Sequence, residues 1–206
     1  MFLTVEGIDG AGKSTQARML ATHLRGQGAD LVETREPGGS PGAEAIRRLL
    51  VDADGGDWSA ESELLLFTAA RRDHVEKTIR PALARGAIVI CDRYIDSTRA
   101  YQGDLGAEIE ALHDRLIGLD PDRTLIFDIS PSDALARAET RAGTGGETAV
   151  EDRFERRGLG FQEELRTAFH SIAAAEPGRV RLIDAKGTPE EVFARTLAAV
   201  ADLIDG

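Results

Sequence analysis

The chain has 206 residues, with 36 acidic against 25 basic side chains and a formal net charge of −11, a balance that argues against a nucleic-acid partner because phosphate backbones call for clustered positive charge. No apolar run approaches the roughly 18 residues that span a bilayer, and an apolar stretch starting within two residues of Met1 leaves no room for a signal peptide, so no membrane partner is expected. Cys91 is the single cysteine, which rules out an internal disulfide or a cysteine metal site and suits a reducing cytoplasmic compartment.

Met1 to Val5 reads as a short buried strand, and Gln16 to Leu24 as a helix with Ala17, Leu20, Ala21 and Leu24 on one face. Between them stands Glu6-Gly7-Ile8-Asp9-Gly10-Ala11-Gly12-Lys13-Ser14-Thr15, in which Gly7, Gly12, Lys13 and Ser14 satisfy G-x-x-x-x-G-K-[ST]. Such a loop turns its backbone N–H groups inward as a nest for anionic oxygens, and the helix that follows adds its positive end. Lys13 is expected to reach the β- and γ-phosphates of a nucleotide, and the Ser14 hydroxyl to sit on Mg²⁺. The only other lysines are Lys77 and Lys186, so a lysine in this loop is there for chemistry.

Ala29 to Arg35 is predicted as a second strand, ended by Glu36-Pro37-Gly38-Gly39 at the carboxyl edge where open parallel sheets bind ligands. Arg35 there either holds a phosphate or pairs with Glu36. Pro41 to Val51 is predicted helical with Ala45, Ile46, Leu49 and Leu50 inward, and Ser59 to Arg85 carries a long helical pattern that Pro81 kinks or restarts. On it, Phe67 is either plain core or a stacking face for a base beside Arg71, and His74 reads as a surface or packing residue. Ala87 to Cys91 is a third strand running into Asp92-Arg93-Tyr94; a carboxylate at that point orients Mg²⁺ or its waters, and Arg93 stands ready for a phosphoryl group. Ser97, Thr98, Tyr101 and Gln102 follow in a short helical turn able to read a sugar and a base, or simply to face solvent.

Ala107 to Leu116 is read as a helix, Arg123 to Ile129 as a fourth strand, and Ser132 to Arg141 as a helix bearing Arg137 and Arg141. Gly143-Thr144-Gly145-Gly146, flanked by arginines, fits a lid over phosphates at about 137–157. Phe161 to Ala175, Arg179 to Ile183 and Pro189 to Leu203 complete the pattern as helix, strand and helix. Five strands alternating with helices predict one α/β domain, a five-stranded parallel sheet with helices on both faces.

In these residues the chain resembles the thymidylate kinase family, over nearly its whole length. Its phosphate loop, Thr34-Arg35-Glu36-Pro37-Gly38-Gly39 with Glu44 and Arg47 after it, Leu64 to Arg71, and Asp92-Arg93-Tyr94 with Ser97, Thr98 and Tyr101-Gln102-Gly103 stand in that family's order. The resemblance implies a three-layer P-loop kinase fold. It implies that residues Gly7, Ile8, Asp9, Gly10, Ala11, Gly12, Lys13, Ser14, Thr15 and Arg137 bind ATP, with Mg²⁺ on Ser14 and Asp92. Phe67 would stack on thymine and Arg71 would bond its edge, with Thr98 and Gln102 helping. Tyr101 would pack against C2′, Asp9 would contact the acceptor sugar or the metal shell, and Arg35 and Arg93, with Arg47, would hold the acceptor phosphate. Gly10 stands where one subclass carries a catalytic arginine, so Arg137, Arg141 or Arg153 of the lid would supply it. The family also implies a homodimer.

The expected reaction moves the γ-phosphoryl group of Mg-ATP to dTMP. The acceptor phosphate, with a second pKa of about 6, is already a dianion at neutral pH, so no general base is nominated. Other readings are a kinase of another monophosphate or small metabolite, a GTP switch, and an ATP-binding regulator without turnover. The switch class reads guanine with Asn-Lys-x-Asp, and this chain contains no asparagine.

Overall fold

A computed structural model describes residues 1–52, 56–142 and 158–204. In chain order its elements are β1 (Phe2–Glu6), α1 (Lys13–Gly26), β2 (Leu31–Arg35), α2 (Pro41–Val51), α3 (Ala60–His74), α4 (Arg80–Ala84), β3 (Ile88–Asp92), α5 (Ile95–Tyr101), α6 (Gly106–Leu112), β4 (Arg123–Asp128), α7 (Pro131–Ala142), α8 (Gly158–Ala175), β5 (Val180–Asp184), α9 (Pro189–Ala198) and α10 (Ala201–Ile204). The strands form one parallel sheet in the order β2-β3-β1-β4-β5, which puts β1 at its centre.

Alternation along the strands divides the core between the two faces. Leu3 and Val5 of β1 join Leu125 and Phe127 of β4 under α1, α8 and α9, where Leu20, Ala21, Leu24, Leu165 and Val192 close the layer. Phe2, Val89 and Cys91 point to the opposite face, beneath Leu64 of α3, Ala82 of α4, Ile95 of α5 and Ile109 of α6. Burial on both faces is why the central strands read as unbroken apolar runs. No helix among the described residues is long and apolar enough to cross a membrane.

Several predicted elements differ from their sequence patterns, among them the closing Pro189–Leu203 helix, which is broken between α9 and α10. The Ser59–Arg85 segment is not one helix: Val75–Ile79 widens into a π-helical turn in which the Arg80 N–H donates to the Val75 carbonyl, five residues back, and Pro81 stands in the first turn of α4. Proline carries no N–H for the ladder, so the irregularity sits just before it. A second π-helical turn, His113–Ile117, ends at left-handed Gly118 and takes over the end of the predicted Ala107–Leu116 helix. On α2, Ala43 and Leu50 are buried, whereas Ala45 and Leu49 of the expected inner face are exposed. Strands β1 and β3 run one residue further than their apolar runs, because Val5 still pairs with Asp92 and Glu6 with Ile126. Both strands therefore deliver a carboxylate to the carboxyl edge.

Candidate active site

The phosphate loop is pressed against β4 and α7. Gly7 has φ +129°, and a Cβ there would lie 2.6 Å from the Phe127 carbonyl oxygen. Gly10 has φ +80°, and a Cβ there would lie 2.6 Å from the Ala134 carbonyl oxygen. Ile8 and Ala11 are buried and anchor the loop to the core. Left-handed Gly12 precedes α1, whose first turn, including Ser14 and Thr15, has no side-chain cap, whereas Ser59 caps α3 and a Thr188–Glu191 capping box closes α9. Donors at the start of α1 are thus left for an anion.

Lys13 is buried; its Nζ donates to the Ile8 carbonyl at 2.9 Å and stands 3.5 Å from Asp9 Oδ1. Burial pushes the Lys13 ammonium below its ordinary pKa, and the Arg93 charge adds to this while Asp9 and Asp92 oppose it. Burial would raise the Asp9 carboxyl, but Arg93 and Lys13 hold it below the usual range. The charges are set for a polyanion to enter.

Ser14 Oγ donates to Asp92 Oδ2 at 2.6 Å, which brings a hydroxyl and a carboxylate to one point beside the loop. Among the described residues no cluster of three or more His, Cys, Asp or Glu side chains is placed to hold a metal. Mg²⁺ in phosphate chemistry takes one or two protein ligands and fills its shell with phosphate and water oxygens. The Ser14–Asp92 pair fits that mode.

Arg93 links the two halves of the site. Among the described residues it is the non-glycine with a positive φ, +68°, in the sparsely populated region where functional strain concentrates. Its guanidinium bonds Asp9, donates to Ser97 Oγ at 3.2 Å, and lies 5.3 Å from the Tyr101 ring centre. Burial works against its charge, but Tyr101, Asp9, Glu6 and Asp92 more than compensate, so it stays protonated. Glu6, to which the sequence assigned no role, pins this corner. Its carboxylate accepts from the Tyr94 N–H at 2.7 Å, the Ser97 N–H at 3.2 Å and Ser97 Oγ at 2.5 Å, which caps α5. Burial, aided by Asp96, pushes the Glu6 carboxyl up to about 7. Its only sequence signal was a carboxylate directly after an apolar strand.

The opposite wall joins α3 to α5. Arg71 is 3 % exposed; its Nε donates to Glu36 Oε2 at 2.8 Å, its Nη2 to Thr98 Oγ1 at 2.9 Å, and its guanidinium lies over the Tyr94 ring. Phe67, one turn before it, is half-buried. Gln102 Nε2 donates to Glu63 Oε1 at 2.9 Å.

At two positions the structure removes one of the open alternatives. Arg35 does not pair with Glu36: it is exposed, in register with Asp92 at the carboxyl edge, and its Nη2 lies 3.2 Å from Glu44. Glu36 is committed inward to Arg71 and to His74 Nδ1 at 3.0 Å. His74 is not a surface residue; it is fully buried, with Nε2 2.7 Å from Thr34 Oγ1. A histidine and an arginine three residues apart on α3 both reach the glutamate, because the loop after β2 folds under that helix.

Arg47 Nη1 donates to the Pro37 carbonyl at 2.7 Å. Arg137 Nη2 donates to the Ala185 carbonyl at 2.9 Å, at the far end of the same sheet edge. Arg153 and the Arg141 side chain lie outside the described residues, as does most of the 137–157 segment.

A family profile described as thymidylate kinase matches residues 5–196. The chain is 53% identical over 198 residues to a thymidylate kinase of Ruegeria pomeroyi, covering 94% of this chain and 91% of the relative. It is 54% identical over 200 residues to one of Dinoroseobacter shibae, covering 95% and 94%. The crystal structure of thymidylate kinase from Ehrlichia chaffeensis superposes with a TM-score of 0.76 at 35% identity, over 97% of this chain and 98% of that one. In sequence and in fold, the chain belongs to the thymidylate kinase family.

Proposed function

We propose that the phosphate loop, the Asp92-Arg93 corner and the α3–α5 wall form one site, in which the named residues carry out the family's reaction. That reaction, ATP-dependent phosphorylation of dTMP to dTDP, is the one this chain performs. The observation carrying the residue assignment is Arg93: one guanidinium bonds Asp9 of the phosphate loop and lies on Tyr101 of the acceptor wall. A cation at that junction can meet both polyanions.

In this reading Gly7 to Thr15 bind the ATP phosphates, Lys13 neutralises charge developing on the transferred group, and Arg137 serves the donor side. Ser14 and Asp92 hold Mg²⁺, which supplies further relief of negative charge on the phosphates. Arg93 and the edge residue Arg35 bind the acceptor phosphate, and Arg47 supports the Pro37 loop beside them. Phe67, Arg71, Thr98 and Gln102 read the base, while Tyr101 packs against the sugar. The acceptor dianion attacks in line, so the protein's task is positioning and electrostatics rather than proton abstraction. Glycine at position 10, with the Ala134 carbonyl where a side chain would start, supports a catalytic arginine supplied by the lid, Arg141 or Arg153. The whole chain is read as one kinase domain with that lid at about 137–157.

A homodimer is part of the proposal: α2 and α3 pack side by side and leave Leu49 and Leu65 exposed on the outside of the sheet. Sedimentation as a single 22 kDa species at micromolar concentration would refute it. The assignment is tested by ADP release from Mg-ATP against dTMP, dUMP, UMP, CMP, AMP and GMP. We expect dTMP first, dUMP second and ribonucleotides near background. Equal turnover of ribonucleotides would remove Tyr101 from its role, and preference for another base would remove Phe67 and Arg71 from theirs.

A further inference from the structure

Glu63, Phe67 and Arg71 follow one another at four-residue intervals on α3 and so share one face of that helix. Across from them, Thr98 and Gln102 are spaced by four at α5 and its end. Two side-chain rungs bridge the helices: Arg71 Nη2 to Thr98 Oγ1 and Gln102 Nε2 to Glu63 Oε1, each 2.9 Å. Phe67 stands between the rungs in the helical sequence. Glu63 and Gln102 are 6 % and 8 % exposed, and Gln102 Oε1 is buried with no hydrogen-bond partner among the described residues.

A glutamine amide carries a donor arm and an acceptor arm and can turn either outward. A carboxylate only accepts, so Glu63 captures the amide nitrogen and leaves the carbonyl oxygen facing away from it. A buried acceptor left without a donor is costly, and native structures reserve such groups for a reason. The wall thus offers a donor, the Arg71 guanidinium, on one side of Phe67 and an acceptor, Gln102 Oε1, on the other. Thymine and uracil present the complement, a carbonyl oxygen at C4 and an N–H at N3. Cytosine presents the reverse, an amine at C4 and a bare nitrogen at N3.

We propose that Glu63 is a positioning residue for base selection: by holding the Gln102 amide nitrogen it keeps Gln102 Oε1 turned to the base, so that the site takes a base with an N–H at N3 and refuses cytosine. The proposal rests on the reading of Phe67, Arg71 and Gln102 as the base site. A glutamine at position 63 could offer either arm, which would free the Gln102 amide to flip.

The test is kcat/KM for dTMP, dUMP and dCMP in the full-length wild type, in Glu63→Gln, in Gln102→Met and in the double variant, with thermal melting as the control for folding. We expect Glu63→Gln to shrink the dTMP-to-dCMP ratio by roughly tenfold or more, with the loss in KM for dTMP larger than in kcat. Gln102→Met should lose as much, and the double variant no more than either. A folded Glu63→Gln enzyme that keeps the wild-type ratio overturns the proposal. Should Glu63→Gln fail to fold, an unchanged ratio in Gln102→Met overturns it equally. A wild type that turns over dTMP without preferring it to dCMP overturns instead the base-site reading beneath it.

Discussion

The Ser14 hydroxyl at the start of α1 and the Asp92 carboxylate at the end of β3 meet at 2.6 Å across 78 residues of chain. Pairing of β1 with β3 in register Val5 to Asp92 causes this, because the loop leaving β1 must rise beside the carboxyl end of β3. If the pair holds Mg²⁺, Asp92→Asn should raise the half-saturating Mg²⁺ concentration about tenfold or more and lower kcat. A chelator should stop turnover of the wild type yet leave dTMP binding measurable by calorimetry. An Asp92→Asn enzyme with an unaltered Mg²⁺ titration would count against the assignment.

Lys13 sits in a pocket that already disfavours its charge; if it meets the ATP phosphates as proposed, its ammonium gains from their arrival. Lys13→Met should lower kcat by about 10²–10³-fold while the affinity for dTMP changes little. Steady-state kinetics beside dTMP calorimetry separates the two; near-normal turnover would sink the role.

Glu36 is the counter-charge of a buried arginine. Glu36→Gln leaves the Arg71 guanidinium uncompensated, which should cost about 3 kcal/mol and lower Tm by about 6–12 °C for a chain of this length. If Arg71 reads the base as proposed, KM for dTMP should rise more than kcat falls, because the guanidinium loses its brace. Calorimetric melting and dTMP kinetics on the same preparation check both statements.

Glu6 titrates upside down. Its carboxyl ionises at about 7 when folded against 4.5 for the free group, so the folded state holds the extra proton. Below 4.5 both states are protonated and nothing is lost. Stability from this group falls as pH rises from 4.5 to about 7 and is level above that. The span corresponds to on the order of 3 kcal/mol. Other carboxylates run the opposite way, among them Asp128, held low by Arg166, so the readout is the difference between proteins. Glu6→Gln should be less sensitive to pH than the wild type between 5 and 8 in urea titrations. Parallel curves for the two proteins would refute it.

The proposed lid arginine rests on Gly10 leaving the phosphate loop without one. The positive φ of Gly10 and the Ala134 carbonyl 2.6 Å from a would-be Cβ leave no room for a side chain. Gly10→Arg should destabilise the fold by about 1–3 kcal/mol and should not rescue the activity lost when the lid arginines are replaced. Recovery of turnover in a variant lacking Arg137, Arg141 and Arg153 would show that the loop can host it.

Local features were legible in the sequence because they are written in consecutive residues. The phosphate loop follows from glycine spacing and one lysine; the strands follow from apolar runs that two covered faces require. The Arg35–Glu36 pairing misled because it looked along the chain. The partner that matters to Glu36 is 35 residues away, brought there when the loop after β2 tucks beneath α3. Exposed Ala45 and Leu49 misled for a related reason: a helical stripe states that a face is apolar, not what covers it.

The sequence by itself determined the nucleotide chemistry, the parallel α/β sheet and the family, since these rest on spacing, periodicity and motif order. Tertiary structure alone decided how the charges are shared out. Glu6 caps the Arg93 corner, Glu36 braces Arg71, Glu63 holds Gln102, and buried His74 closes the network. Each is an acid or base whose partner lies on another element, and strand register and helix packing, not neighbouring residues, bring such partners within hydrogen-bond reach.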